Sequence, residues 1–185
     1  MNQGTQNKSV LIAQIEPPQL GKCGDYYYRT HAPGLAMAEE GDVHVVTLTN
    51  LNRRRLEIVA KADILVLKNI CDPDFLPLIR GRKARGQLTI YEIADDLAAV
   101  PPWNPVYSFY SNAENLDLVY RLANYCDGLQ FSVPRLEERY GYLNRRCAVF
   151  PNQILEIPDA KKTRTGKRLV VGWGGSHGHL EDMAE

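Results

Sequence analysis

Short apolar runs alternate along this chain with longer stretches of helical pattern, and that alternation restricts the fold more than any other feature. Ser9–Ile15 is nearly all apolar and ends at Glu16-Pro17-Pro18, which suits a strand buried on both faces. A helical stretch covers Tyr26–Glu40, with Pro33 and Gly34 predicting a kink or a late start. Val43–Leu48 reads as a second strand, Arg53–Lys61 as a short helix and Ile64–Lys68 as a third strand. Asp72-Pro73 opens a helix running to about Arg85, because Asp can cap and Pro fits the first helical position. Gln87–Ile93 is a fourth strand, and the Pro- and aromatic-rich Ala98–Phe109 a loop. Ser111-Asn112-Ala113-Glu114 has the pattern of a capping box, and behind it Leu116, Val119, Leu122 and Cys126 share one helix face. Gly128–Ser132, Pro134–Tyr140 and Arg146–Phe150 complete the series as strand, helix and strand. Six such repeats imply right-handed crossovers and an α/β fold with a doubly wound, mostly parallel sheet.

The pattern changes after residue 153. Residues 154–167 hold Pro158 and the basic run Lys161, Lys162, Arg164 and Lys167 without apolar periodicity, a linker composition. A new strand, Arg168–Trp173, and a glycine-rich loop follow, and the sequence ends at Glu185. The expectation is one domain over residues 1–153, a linker over 154–167, and the first strand and loop of a truncated second domain over 168–185. The alternative is a last strand and helix of a single domain.

Charge narrows the function classes. Twenty-two basic residues balance 22 acidic ones, so the net charge is zero. Nucleic-acid-binding domains carry a basic surplus, and no nucleic-acid partner is expected. The four cysteines Cys23, Cys71, Cys126 and Cys147 contain no CxxC pair, which removes a zinc ribbon. The first ten residues lack an apolar leader and no apolar run reaches spanning length. The expectation is a cytoplasmic protein; peripheral membrane contact stays open, because it needs no spanning segment.

In a doubly wound sheet, ligands sit beyond the carboxyl ends of the strands, which directs attention to three loops. Gly21–Asp25 carries two glycines ahead of a helix, where backbone amides can approach an anion or a sugar; a plain turn fits equally well. Glu92–Leu97 places Asp95 and Asp96 at a strand end, where carboxylates can hydrogen-bond sugar hydroxyls, act in acid–base chemistry, bind a metal, or simply cap a turn. Gly172–His179 offers consecutive glycine amides at a helix start, a cradle suited to a diphosphate. Its His177 and His179 have no carboxylate cluster nearby except Glu181 and Asp182, and no metal is expected.

Taken in order, Gly24-Asp25-Tyr26-Tyr27-Tyr28-Arg29, Tyr91–Leu97, Cys126-Asp127-Gly128, Ser132–Tyr140, Phe150-Pro151-Asn152 and Gly172–Ser176 resemble the GT-B glycosyltransferases often called group 1. The resemblance spans nearly the whole chain and rests on the ordered set. It implies a Rossmann-like acceptor-side domain facing a second domain that binds a nucleotide-diphosphate sugar, with no cofactor and no metal for the diphosphate. Carried onto this sequence, it implies Asp95 and Asp96 as the catalytic pair. It also implies Gly24, Asp25, Tyr26 and Arg29 toward an acceptor that is a glycan, lipid-linked or a small molecule, and Gly174, Gly175 and Ser176 toward the donor diphosphate. Gln153 departs from the pattern, since the family often has glycine there. Two other readings stand beside it: a non-catalytic α/β module for a small ligand or for regulation, and a metal-dependent enzyme built on Asp95 and Asp96.

Overall fold

The computed structural model describes residues 9–18, 24–154, 159 and 172. Its centre is a six-stranded, all-parallel sheet of order β2-β1-β3-β4-β5-β6, an α/β Rossmann-like arrangement that does not close into a barrel. The strands are β1 (Val10–Glu16), β2 (Val43–Thr49), β3 (Ile64–Lys68), β4 (Leu88–Ile93), β5 (Gly128–Phe131) and β6 (Cys147–Val149). β1 connects outward to β2, and the chain then returns past β1 to β3 and proceeds the other way. The order therefore reverses between β1 and β3, the place where a doubly wound sheet opens a crevice beyond its strand ends.

Strand periodicity divides the side chains between two unlike faces. One face carries Ala13 and Ile15 of β1, Leu65 and Leu67 of β3, Tyr91 and Ile93 of β4, and Leu129 and Phe131 of β5, all in the apolar core. Four helices close over it: α3 (Arg55–Lys61) with Val59, α4 (Phe75–Ala84) with Phe75 and Ile79, α6 (Ala113–Tyr125) with Val119 and Leu122, and α7 (Pro134–Tyr140) with Leu136. On the opposite face, Gly34 of α2 (Ala32–Ala38) comes so close to β1 and β2 that an added Cβ would lie 2.9 Å from Gln14 Oε1 and 3.4 Å from Val45. A side chain at position 34 would have to displace the Gln14 carboxamide, so glycine lets α2 sit close to the sheet.

The expected kink is a change of helix type placed ahead of the proline. After α1 (Gly24–Tyr26), the chain makes a π-helical turn over Tyr27–His31 and continues as α2. The Ala32 amide bonds the Tyr27 carbonyl five residues back. Pro33 has no N–H and its ring crowds the preceding turn, so the helix widens just upstream and then runs on through Gly34. The capping expectation shifts by one residue: Asn112, not Ser111, caps α6, its Oδ1 accepting the Glu114 amide at 2.9 Å. The expected loop Ala98–Phe109 holds a 3₁₀ turn at Leu97–Ala99 and ends in the short helix α5 (Tyr107–Tyr110). Among the described residues, no helix is long and apolar enough to cross a membrane. The segments assigned to the linker and to a second domain lie almost wholly outside the described residues.

Candidate functional site

The second face of the sheet turns polar toward the strand ends. Parallel register pairs Lys68 with Glu92 and Glu92 with Gln130, which lines these side chains across three strands on one face. Glu16 closes β1 beside them. Sheets buried on both faces are ordinarily apolar there, so this row is a departure that needs its own partners.

Two linked clusters supply them. Lys68 Nζ lies 2.8 Å from Glu16 Oε2 and 2.9 Å from Asp25 Oδ2, with the Lys68 and Glu16 side chains each 3% exposed. Thr30 Oγ1 donates to the other Glu16 oxygen. Burial alone would push the Lys68 ammonium down, but the two facing carboxylates outweigh it and its pKa is raised. Glu16 is raised above the usual carboxylate value by burial, with Lys68 and Thr30 offsetting part of the shift. In the second cluster, Arg29 Nε donates to Glu92 Oε1 at 2.6 Å, and Gln130 Nε2 donates to the other Glu92 oxygen. Arg29 Nη1 donates to the Phe150 carbonyl, tying the 27–31 turn to the chain leaving β6.

Beyond these clusters, at the switch point, opens a cavity of about 420 Å³. Its lining holds the charged Glu16, Asp25, Lys68, Asp95 and Asp96 and the polar Asn69, Asn104 and Tyr110, beside the apolar Pro17, Leu97, Ala99, Val100, Pro101 and Val106. Asn69 follows β3 with a left-handed φ of 48°, a conformation that asparagine tolerates better than most residues. Its Oδ1 accepts the Ala94 amide at 3.3 Å, so one residue joins the ends of β3 and β4. Burial foremost pushes the Tyr110 phenol up to about 12, with Cys71, Asp95 and Asp25 adding to the shift.

The residues singled out from sequence separate into distinct places. Asp25, Asp95 and Asp96 meet on the cavity. Asp95 is exposed, whereas Asp96 is held by Arg139 Nη1 at 2.6 Å and by the Tyr140 hydroxyl. The Asp96 side chain does not cap the turn that follows it; the Ala98 amide donates to the Tyr140 oxygen at 3.3 Å. Arg29 is buried and spent on Glu92 and Phe150, so it braces the site from behind. Tyr26 stacks on His31 at 5.7 Å. Gly24 is exposed at a helix start, where an added Cβ would meet nothing closer than Tyr28 at 3.8 Å. Gly174, Gly175 and Ser176 lie outside the described residues. Sequence reasoning missed Glu16, Lys68, Asn69, Asn104 and Tyr110 as cavity residues. A signal existed for the first two, a charged residue closing an otherwise apolar strand. Among the described residues, no group of three or more His, Cys, Asp or Glu side chains is placed to hold a metal ion.

No family model matches the chain, and no curated protein matches it in sequence. Among solved structures, the chain is similar to a crystal structure of a conserved protein from Enterococcus faecalis V583. That similarity has 16% identity and a TM-score of 0.41, over 72% of this chain and 98% of the other. A likeness at that level says nothing about chemistry.

Proposed function

We propose that the cavity at the β1/β3 switch point binds a polyhydroxylated ligand, and that the chain is the acceptor-binding part of an enzyme that transfers a sugar from a nucleotide-diphosphate sugar. The observation that carries the reading is the donor–acceptor set of the walls. Four carboxylates, two carboxamides and a phenol surround one ammonium. The carboxylates and amide oxygens accept hydrogen bonds from hydroxyl groups, and the amide N–H groups donate to hydroxyl or ring oxygens. The acidic excess disfavours a phosphate or carboxylate ligand in this cavity, which is consistent with the acceptor side of a sugar transfer. Asp95 is the carboxylate best placed to take an acceptor hydroxyl, being exposed on the cavity wall.

One observation favours a non-catalytic module for the same ligands. Asp96 is occupied by Arg139 and Tyr140, and Lys68 by Glu16 and Asp25, so most of the charged wall is already committed to holding shape. Turnover separates the two readings.

The test is titration with methyl glycosides of glucose, galactose, mannose and N-acetylglucosamine, followed by amide NMR. At least one is expected to shift the Asn69, Asp95 and Tyr110 amides at millimolar concentration. Asp95→Asn is expected to weaken that binding about tenfold or more, the worth of a hydrogen bond to a charged acceptor. Absence of any cavity shift with all four at tens of millimolar would overturn the reading.

A further inference from the structure

The polar cavity does not end at Tyr110. A second hollow of about 380 Å³ adjoins it, and Pro17, Asn69, Val106 and Tyr110 line both. Both hollows carry apolar residues; what changes across the shared wall is charge. Beyond it the lining is Pro18, Asn50, Ile70, Cys71, Pro105 and Phe109, without a charged side chain. Phe109 and Val106 stay 43% and 40% exposed at its edge, so apolar surface is left open to water beside a site crowded with carboxylates.

We infer that the ligand of this site is amphiphilic: a hydroxylated head seated between Asp25 and Asp95, carrying an apolar substituent that lies past Tyr110 against Phe109, Ile70 and Pro105. The inference rests on the sugar-binding reading of the first cavity and narrows it to glycosides or sugar conjugates bearing an alkyl or aryl group. Continuity of the two hollows through shared walls makes one ligand the natural occupant of both, since a small sugar fills the first cavity and leaves the second open. The head supplies orientation through hydrogen bonds, and the substituent supplies affinity through burial.

The experiment compares hexyl with methyl glycosides of whichever sugar binds, below the micellar concentration, by calorimetry. Five added methylenes, even partly buried, are expected to tighten binding at least tenfold. Phe109→Ser is expected to lower the hexyl-to-methyl affinity ratio threefold or more and leave methyl glycoside binding in place. Phe109→Ala serves if the serine variant loses its fold by circular dichroism. A ratio under tenfold in the unaltered chain, or one unmoved by the Phe109 substitution, overturns the inference while the sugar-binding reading stands. Hexanol binding as tightly as the hexyl glycoside also overturns it, because the two hollows then act separately. Failure of methyl and hexyl glycosides alike removes both readings together.

Discussion

On one face of the sheet, Ala13, Leu65, Tyr91 and Phe131 meet four helices in a continuous apolar layer. On the other, Gln14, Glu16, Lys68 and Glu92 are met in turn by Thr47, Thr30, Asp25 and Arg29, and Gln130 donates to Glu92. The first face is stabilised by area removed from water, where almost any well-packed apolar residue of similar volume serves. The second depends on complementary pairs, each costly when half removed. Strand ends that break the apolar rule and then need a dedicated set of partners are where function is expected to reside. The same contrast appears in the two buried arginines. Arg82, fully buried in α4, donates to five acceptors: the Val59, Ala62, Asp63 and Leu88 carbonyls and Thr89 Oγ1. Burial foremost lowers its pKa to about 10, still leaving it charged at neutral pH. Arg82 therefore staples backbone, whereas Arg29 answers a buried carboxylate.

The largest expected effect comes from that difference. Arg82→Met removes five hydrogen bonds at once, although the Ala62 and Asp63 carbonyls keep Gln87 Nε2 and the Leu88 amide, and is expected to cost more than about 4 kcal/mol in urea unfolding, with Arg82→Lys recovering only a minor part. Arg29→Met is expected to cost about 3–5 kcal/mol by leaving Glu92 charged and unpaired. Removing that charge as well, in Arg29→Met/Glu92→Met, is expected to restore at least half of the loss. No rescue would mean that the polar face is held by shape rather than by charge pairing, and the contrast between the faces would fall.

A smaller effect separates the two adjacent aspartates. Asp96→Asn weakens the contacts to Arg139 and Tyr140 and is expected to cost about 1 kcal/mol, since the Arg139 side chain is 49% exposed. Asp95→Asn is expected to cost less than Asp96→Asn, because Asp95 is exposed, while weakening sugar binding as proposed above. Thermal melts and glycoside titrations on both variants check the pair. Equal losses of stability would remove the distinction between a brace and a ligand contact.

How much of this was legible in the sequence follows the same division. The strands of the apolar face announce themselves, because Ile64–Lys68 and Leu88–Ile93 are short apolar runs whose burial is decided by composition. The helix over Pro134–Tyr140 is marked by proline at its first turn. The polar face is hidden, because its logic is non-local. Arg29 and Glu92 are 63 residues apart and Arg29 and Phe150 are 121 apart, so no local window shows that the arginine is consumed internally. Asp95 and Asp96 were visible as neighbours at a strand end, but the separation of their roles depends on Arg139 and Tyr140, brought in by α7. The π turn shows the same limit: Pro33 signals an irregularity, and only packing decides that it falls at Tyr27–His31.

The smallest expected effect concerns two tyrosines, one per region, and it is invisible at neutral pH. Tyr91 lies beneath the apolar face with its hydroxyl donating to the Ile70 carbonyl at 2.6 Å, and burial raises its pKa well above the ordinary value. Tyr110 stands on the wall shared by the two hollows, raised to about 12, again chiefly by burial. In both, the unfolded chain gives up its phenolic proton near pH 10, about the free value, while the folded chain keeps it. Unfolding then releases protons, so stability is fully present below about pH 10 and is lost as pH rises toward each folded pKa. Removing either phenol therefore makes the alkaline loss shallower. Tyr110→Phe is expected to leave stability at pH 7 nearly unchanged and to reduce the fall between about pH 10 and 11. Tyr91→Phe is expected to reduce that fall too, but to cost about 1 kcal/mol at pH 7, because the Ile70 carbonyl loses its donor. Urea midpoints at neutral pH and across the alkaline limb read both quantities. An alkaline limb unaltered by Tyr110→Phe would mean that water reaches the phenol freely. The wall between the hollows would then be too wet to distinguish a polar chamber from an apolar one.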